Sequence, residues 1–285
     1  MRRTARLFPV VLTLVTVVAW LANPAIAAAG RRPPVIVAAG DISPEGDGYD
    51  DETAAVIEDI VPDAVLTLGD NQYPDGELAD FRRYYDENWG RFLGMTYPSP
   101  GNHDCHVPRC AGYFEYFGDR AHDGTYAFRI GRWLLVSLNS EGDIDAQDAF
   151  LRARLAASDA RCELVYYHHP RFSSGPHGSS SRTAPWWETA YAAGVDVILA
   201  GHDHTYERFT RLDPDQNHAG DGIRSFVVGT GGAALYDFGR PERGSVERIR
   251  AYGVLRLRLE SNGYAWAFKG IDGDKLDTGD SGCRV

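Results

Sequence analysis

The sequence predicts an α/β fold in which β-sheets pack together with helices outside. Two observations carry this reading. Through most of the chain short apolar runs alternate with amphipathic helical patterns, the signature of βαβ units. Near the end a two-residue alternation turns back on itself at an Asn-Gly pair, the signature of an antiparallel hairpin. No internal repeat, low-complexity stretch or linker interrupts the pattern, so residues 28–285 read as one domain.

The first unit runs from Val35-Ile36-Val37-Ala38-Ala39 to Ala64-Val65-Leu66-Thr67-Leu68, two apolar strands each closed by Gly-Asp. Between them Asp50, Asp51 and Glu52 start a helix, Ile57, Ile60 and Val61 form its apolar face, and Pro62 stops it. A second amphipathic helix places Phe81, Tyr84, Tyr85, Trp89 and Phe92 on one face, a stripe that reads as core contact rather than ligand contact. Trp133-Leu134-Leu135-Val136 is the next strand, Asp145 caps a helix through about Ala157, and Glu163-Leu164-Val165-Tyr166-Tyr167 is the strand after it. Thr183 caps a helix containing Trp186, Trp187 and Tyr191, Gly194 ends it, and Val195 to Ala200 is another buried strand. Leu255, Leu257 and Leu259 then alternate with Arg256 and Arg258 before Asn262-Gly263 returns the chain through Tyr264, Trp266 and Phe268.

Residues 1–27 read as a signal peptide, in which Arg2, Arg3 and Arg6 precede an apolar run from Leu7 to Leu21 and the small-residue exit Ala25-Ile26-Ala27. That run is short for a span, and no later stretch approaches the roughly 20 apolar residues a span needs, so no stable membrane anchor is expected. No cysteine follows the cleavage region to carry a lipid, and Arg2-Arg3 leaves the twin-arginine and general secretory routes both open. The expected destination is the extracellular space, periplasm or cell wall. Without the leader, which carries three arginines and no acids, the formal charge moves from −11 to −14. A surface so acidic repels nucleic-acid backbones and excludes that class of partner. Four cysteines in an exported chain suggest two disulfides. Of the three pairings, Cys105–Cys110 with Cys162–Cys283 is preferred, the first stapling a short loop and the second tying down the C-terminal tail.

Five short blocks carry the chemistry: Gly40-Asp41-Ile42-Ser43, Gly69-Asp70-Asn71-Gln72-Tyr73, Gly101-Asn102-His103-Asp104, Val165-Tyr166-Tyr167-His168 and Gly201-His202-Asp203-His204. Each follows an apolar run or a proline-rich approach, where ligands bind at strand C-terminal ends. Each contains a carboxylate, amide oxygen, phenolate or imidazole able to hold a metal, and glycine precedes four of them, where a tight turn aims a short side chain. Singly, an aspartate there is more often a turn or cap and a histidine more often a satisfied surface or core group. Five together, in this order, are hard to explain that way.

In these blocks the chain resembles the calcineurin-like metallophosphoesterases, and among them the purple acid phosphatase branch. The resemblance spans about Val35 to Gly232 and includes the continuation Thr205-Tyr206-Glu207-Arg208. It implies a four-layer αββα sandwich of two mixed β-sheets flanked by helices, with the metal site at strand C-terminal ends. It also implies that Asp41, Asp70, Tyr73 and His204 hold one metal and that Asp70, Asn102, His168 and His202 hold the other, with Asp70 as bridge. Many relatives carry histidine two residues after the first aspartate, where this chain has Ser43; Tyr73 supplies the missing donor, and its hard phenolate favours Fe(III). The second ion is then zinc, manganese or Fe(II), since N/O ligands do not discriminate among them.

The implied reaction is hydrolysis of phosphate monoesters by attack of a metal-bound hydroxide, in the manner of an acid phosphatase on small phosphorylated substrates. His103 is placed by its motif to reach the phosphate or leaving group, with Asp104 to orient it. His177, nine residues beyond His168, matches a substrate-facing histidine of that branch. His169 reads either as a group supporting a ligand or as a substrate contact. His106, His122 and His218 read as surface residues and Arg171 as structural. Two other readings stand beside this one: a phosphodiesterase or nucleotide hydrolase using the same metals, and an inactive binding scaffold.

Overall fold

Side chains alternate across a β-strand, so a strand apolar on both sides must serve two cores. β5 (Trp133–Ser137), β6 (Cys162–Tyr166) and β7 (Val197–Ala200) do so: Leu135, Leu164, Tyr166, Val197 and Leu199 join one core, and Leu134, Val136, Val165 and Ile198 the other. The first core also takes Ile36, Val37, Leu66, Leu255 and Leu257, so it lies between two sheets. The second takes Leu151 and Leu155 of the helix Ile144–Ala156 and Trp186, Trp187 and Ala190 of the helix Ala184–Ala193, which cover the outer face.

The computed structural model describes residues 32–284, and the predicted signal peptide lies outside them. From Pro33 onward the chain is one compact unit. The remaining strands are β1 (Val35–Ala39), β2 (Ala64–Leu68), β3 (Thr96–Ser99), β4 (Tyr126–Ile130), β8 (Tyr206–Leu212), β9 (Ile223–Val228), β10 (Ser245–Ile249), β11 (Gly253–Leu259), β12 (Gly263–Gly270) and β13 (Lys275–Gly282). They form a six-stranded sheet in the order β13-β12-β11-β1-β2-β3 and a seven-stranded sheet in the order β10-β8-β9-β7-β6-β5-β4. Both are mixed: β1, β2 and β3 are mutually parallel, as are β5, β6, β7 and β9, while the outer pairs run antiparallel. The helix Asp50–Ile60 buries Ala54, Val56 and Ile57 against the first sheet, completing the predicted four layers. Among the described residues no helix is long and apolar enough to cross a membrane.

Some local expectations are corrected. Val61 is not part of the first helix's apolar face; it takes the left-handed conformation (φ 52°) that ends the helix before Pro62, and its side chain is exposed. The second helix is broken into short α segments, a π-helical turn at Phe81–Tyr85 and a 3₁₀ stretch at Trp89–Met95. The wider turn lets Phe81, Tyr85, Trp89 and Phe92 all reach the core, while Tyr84 stays only partly buried. Asp143, not Asp145, caps the helix Ile144–Ala156, its carboxylate accepting from the Ala146 amide at 3.1 Å. Thr183 stands at its helix start without a side-chain capping bond.

A disulfide and side-chain hydrogen bonds tie one sheet to the other. The Cys162–Cys283 disulfide joins the start of β6 to the residue after β13; the second disulfide, Cys105–Cys110, closes a loop after β3. Asp277 on β13 accepts from Tyr206 Oη (2.7 Å), Arg208 Nε (2.7 Å) and Nη2 (3.0 Å) on β8, and from Trp266 Nε1 (3.1 Å) on β12. Burial alone would raise the Asp277 carboxyl, but Arg208 and Tyr206 hold it below its usual value. A lowered folded-state value contributes stability above the unfolded value of about 4 and loses it as pH falls through the folded one. Asp277→Ala, which strands Arg208, is expected to lower unfolding stability by about 3–5 kcal/mol in urea titrations at neutral pH, with a smaller difference in acid. An unchanged midpoint would contradict this role.

Candidate metal centre

The C-terminal ends of the parallel strands of both sheets meet at one edge, and the five sequence blocks lie there. Asp41 follows β1, Asp70 and Tyr73 follow β2, Asn102 and His103 follow β3, His168 follows β6, and His202 and His204 follow β7. Backbone bonds knit the loops: the Asp41 amide donates to Gly69 O (3.0 Å) and Gly201 N to His168 O (3.0 Å) within each sheet, and Gly40 N donates to Val228 O (2.9 Å) from one sheet to the other.

The turns differ from the expected device. The ligand candidates themselves take positive φ: Asp41 at 58°, Asp70 at 49° and His202 at 72°. Non-glycine residues held there cost of order 1–3 kcal/mol each and cluster at functional sites. Of the preceding glycines only Gly69 needs its own positive φ (85°). Gly101 serves by absence, since a Cβ there would sit 2.2 Å from Asp70 Oδ1.

All seven predicted metal-ligating side chains come together. Tyr73 Oη lies 2.9 Å from Asp41 Oδ1, 3.1 Å from Asp70 Oδ2 and 3.0 Å from His204 Nε2, and His204 Nε2 is 3.2 Å from Asp41 Oδ1. On the other side His168 Nε2 lies 3.2 Å from Asp70 Oδ2, 3.1 Å from Asn102 Oδ1 and 3.2 Å from His202 Nδ1. One carboxylate oxygen, Asp70 Oδ2, thus belongs to both groups, while Oδ1 accepts from the His103 amide at 2.8 Å. Spacings near 3 Å are the edges of a coordination shell whose bonds are about 2.1 Å, so the donor set and its packing fit two metal ions. Donor atoms of Asp70, His168 and His202 also lie within 4.8 Å of one another.

The electrostatics suit displacement of protons by metal. Burial would raise the Asp70 carboxyl, but the charge and hydrogen bond of His168, with help from His103, hold it well below the ordinary range. The His168 imidazole, which burial alone would lower, is pushed up to about 10 by Asp70 and Asp41. Burial and the neighbouring carboxylates Asp41 and Asp70 raise the Tyr73 phenol well above 10. Burial and the charges of His168, His169 and His177 lower His202 to about 2, leaving it neutral and ready to ligate. His168 and His204 each direct Nδ1 at a backbone carbonyl, Leu68 O and Ala234 O, both at 2.8 Å, which points their Nε2 atoms at the site.

The other predicted residues fall nearby in different roles. His103 packs its ring over Tyr73 (4.3 Å between centroids), and its Nδ1 is 2.6 Å from Pro74 O. Asp104 does not orient His103. It is fully buried, and its carboxylate accepts from the amides of Asn71, Gln72 and Gly101 and from Asn71 Nδ2, at 2.8–3.2 Å. Burial and the Asp70 charge push it up to about 7. Its work is to hold the backbone that carries Asp70 and Asn102. His177 is exposed at the mouth, its ring 4.4 Å from that of His202, on a loop whose amides donate to Asp203 and Glu207. Ser43 turns away and donates to Asp50 Oδ2 at 2.8 Å.

Sequence reasoning missed Tyr236, whose ring lies parallel to that of His204 (4.0 Å, 9°) and edge-on to His177 (5.5 Å). No motif surrounds Tyr236; only the fold of the chain after β9 brings it there. Also missed was Glu141, 2.9 Å from His169 Nδ1. Burial would raise its carboxyl, but His169 holds it below the usual range.

The calcineurin-like phosphoesterase family model matches residues 34–206, a stretch that contains all seven converging side chains. Purple acid phosphatase 18 of Arabidopsis thaliana is 25% identical over 245 residues, 74% of this chain and 54% of that protein. The chain therefore spans about half the length of this curated relative. Among solved structures, GAP50, described as the anchor in the inner membrane complex of Plasmodium, superposes with a TM-score of 0.74 at 17% identity over 90% of both chains. The purple acid phosphatase PPD1 from yellow lupin (Lupinus luteus) seeds gives 0.69 at 18% identity, covering 88% of this chain and 54% of that one. With its fold, its converging donors and a family match over well more than half its length, the chain belongs to the calcineurin-like phosphoesterases.

Proposed function

We propose that the protein is an exported phosphomonoesterase of the purple acid phosphatase kind, working with two metal ions. The observation that carries the reading is Asp70 Oδ2, shared between the Asp41–Tyr73–His204 group and the Asn102–His168–His202 group. The two disulfides support a workplace outside the cytosol. When bound, the metals supply the positive charge that the exported form, of formal charge −14 without its three leader arginines, otherwise lacks for holding phosphate, and they activate water.

The chain's own groups do the rest. With Nδ1–H donating to Pro74 O, His103 in its imidazolium form would carry its second proton on Nε2, give it to the leaving oxygen and be left as the neutral Nδ1–H tautomer. His177 stands at the mouth as a donor to phosphate, and Asp104 keeps the loops in register. His103→Gln is expected to lower kcat on an alkyl phosphate by about 10²–10⁴-fold, and by less on p-nitrophenyl phosphate, whose leaving group needs no proton. Equal losses on both substrates would remove His103 from the acid role.

Rates on p-nitrophenyl phosphate against its bis ester test the substrate class, and preference for the diester would replace the monoesterase reading. A fold by itself does not imply turnover, and GAP50, which shares this one, is described as an anchor, so the inert-scaffold reading is tested as well. An inert scaffold would have no activity to lose on chelation. For the metals, Tyr73 as a phenolate favours Fe(III), with zinc, manganese or Fe(II) in the second position. The oxidised protein is then expected to show a visible charge-transfer band that Tyr73→Phe abolishes; a colourless, iron-free, active enzyme would overturn the iron assignment alone.

A further inference from the structure

Of the three imidazoles that face the candidate centre, His202 is held differently. His168 and His204 present Nε2 and anchor Nδ1 on backbone carbonyls. His202 presents Nδ1, and its Nε2 has no hydrogen-bond partner among the described residues. A ligand ring without such an anchor can rotate about its side-chain bonds, which weakens the metal it holds. What touches the His202 ring instead is other rings: His169 with centroids 4.1 Å apart and His177 at 4.4 Å.

His177 sits on an exposed loop, whereas His169 is fixed. Its Nδ1 is 2.9 Å from Glu141 Oε1 and 3.0 Å from Ser140 Oγ, and the side chains of His169 and Glu141 are only 19% and 23% exposed. The loop that carries Glu141 is itself pinned: the Glu141 amide donates to Asn139 Oδ1 (2.9 Å), and Arg182 donates to Ser140 O (2.7 Å) and Gly142 O (3.0 Å). We propose that Glu141 and His169 form a positioning pair that holds the His202 imidazole aimed at the second metal, replacing the backbone anchor its two companions have. The pair acts through His202 and does not touch the reacting atoms. This rests on the dinuclear reading above.

The test is calorimetric titration of chelator-stripped protein with Zn²⁺ alone, the second-metal step being identified as the one lost in His202→Ala. Glu141→Ala and His169→Ala are each expected to weaken that step by about ten- to a hundredfold, the usual size of such supporting contacts, and to leave the other step within about twofold. Because the two act as one unit, the double variant should lose no more than the worse single variant. Glu141→Gln, which still accepts from Nδ1–H, should retain most of the affinity, and the melting temperature of the metal-free protein should be unchanged in all of them. Wild-type affinity in Glu141→Ala, additive losses in the double variant, or an equal weakening of both steps would overturn the proposal. Wild-type protein that binds fewer than two zinc ions would instead overturn the dinuclear reading on which it rests.

Discussion

Asp70→Asn is expected to lose at least about a thousandfold in phosphatase activity together with at least one of the two metals. A bound metal stabilises transition-state charge by several kcal/mol, and each 1.36 kcal/mol is a factor of ten. Asp70 Oδ2 is the atom nearest both donor groups, so replacing its charge strikes both positions at once. Asparagine is the informative substitution because it tolerates the left-handed conformation Asp70 holds at φ 49° and keeps an acceptor for the His103 amide. Backbone distortion is thereby separated from loss of charge, and an unchanged metal-free melting temperature would document that separation. Full metal occupancy with normal turnover would remove Asp70 from the bridging role.

Removal and return of metal should have an effect of similar size. Chelation is expected to abolish activity and metal add-back to restore it, and the uptake itself should depend steeply on pH. In the metal-free protein the Tyr73 phenol stands well above its ordinary value and His168 near 10, so both keep their protons at neutral pH and must release them to bind metal. Each displaced proton makes apparent affinity fall by up to about tenfold per pH unit on acidification, so between pH 8 and pH 6 a loss of about a hundredfold or more is expected. Calorimetry in buffers of different ionisation enthalpy would count the protons; pH-independent binding with none released would contradict the assignment of these ligands. The stripped protein should show the opposite limb. A His168 value raised above the unfolded 6.5 contributes stability fully present below about pH 6.5 and lost as pH climbs through about 10. Metal-free melts should therefore fall between pH 7 and 10.

The parts of the molecule written in local pattern were legible before any coordinates. β1, β2, β5, β6 and β7 show as apolar runs because strands between two packed layers have no polar side to disguise them. The hairpin of β11 and β12 was declared by Asn262-Gly263. The ligand candidates were legible for a different reason: the metal chemistry demands particular atoms, and strand ends followed by glycine turns put them at recognisable places. Local readings failed where neighbours outside the window decide. Asp143 and Asp145 are equivalent cap candidates in sequence, and only the path of the chain into the helix selects Asp143. Asp104 beside His103 invites a pairing, yet the buried amides of Asn71, Gln72 and Gly101 claim its carboxylate instead.

What the amino-acid order determined by itself is thus β1, β2, β5, β6, β7, β11 and β12, the main helices, and the choice of seven candidate donors, since these follow from side-chain type and short-range periodicity; β3, β4, β8, β9, β10 and β13 were not legible there. Only the tertiary structure decided which nitrogen of each histidine faces the site, that one oxygen of Asp70 serves both groups, that Tyr236 and Glu141 belong to its surroundings, and that His169 stands against the ring of His202. The physical reason is that orientation is set by partners such as Leu68 O, Ala234 O and the ring of His202, about 30 to 100 residues away in sequence. Contacts over such separations leave no period in the chain, and they exist once the two sheets have packed and their strand ends share an edge.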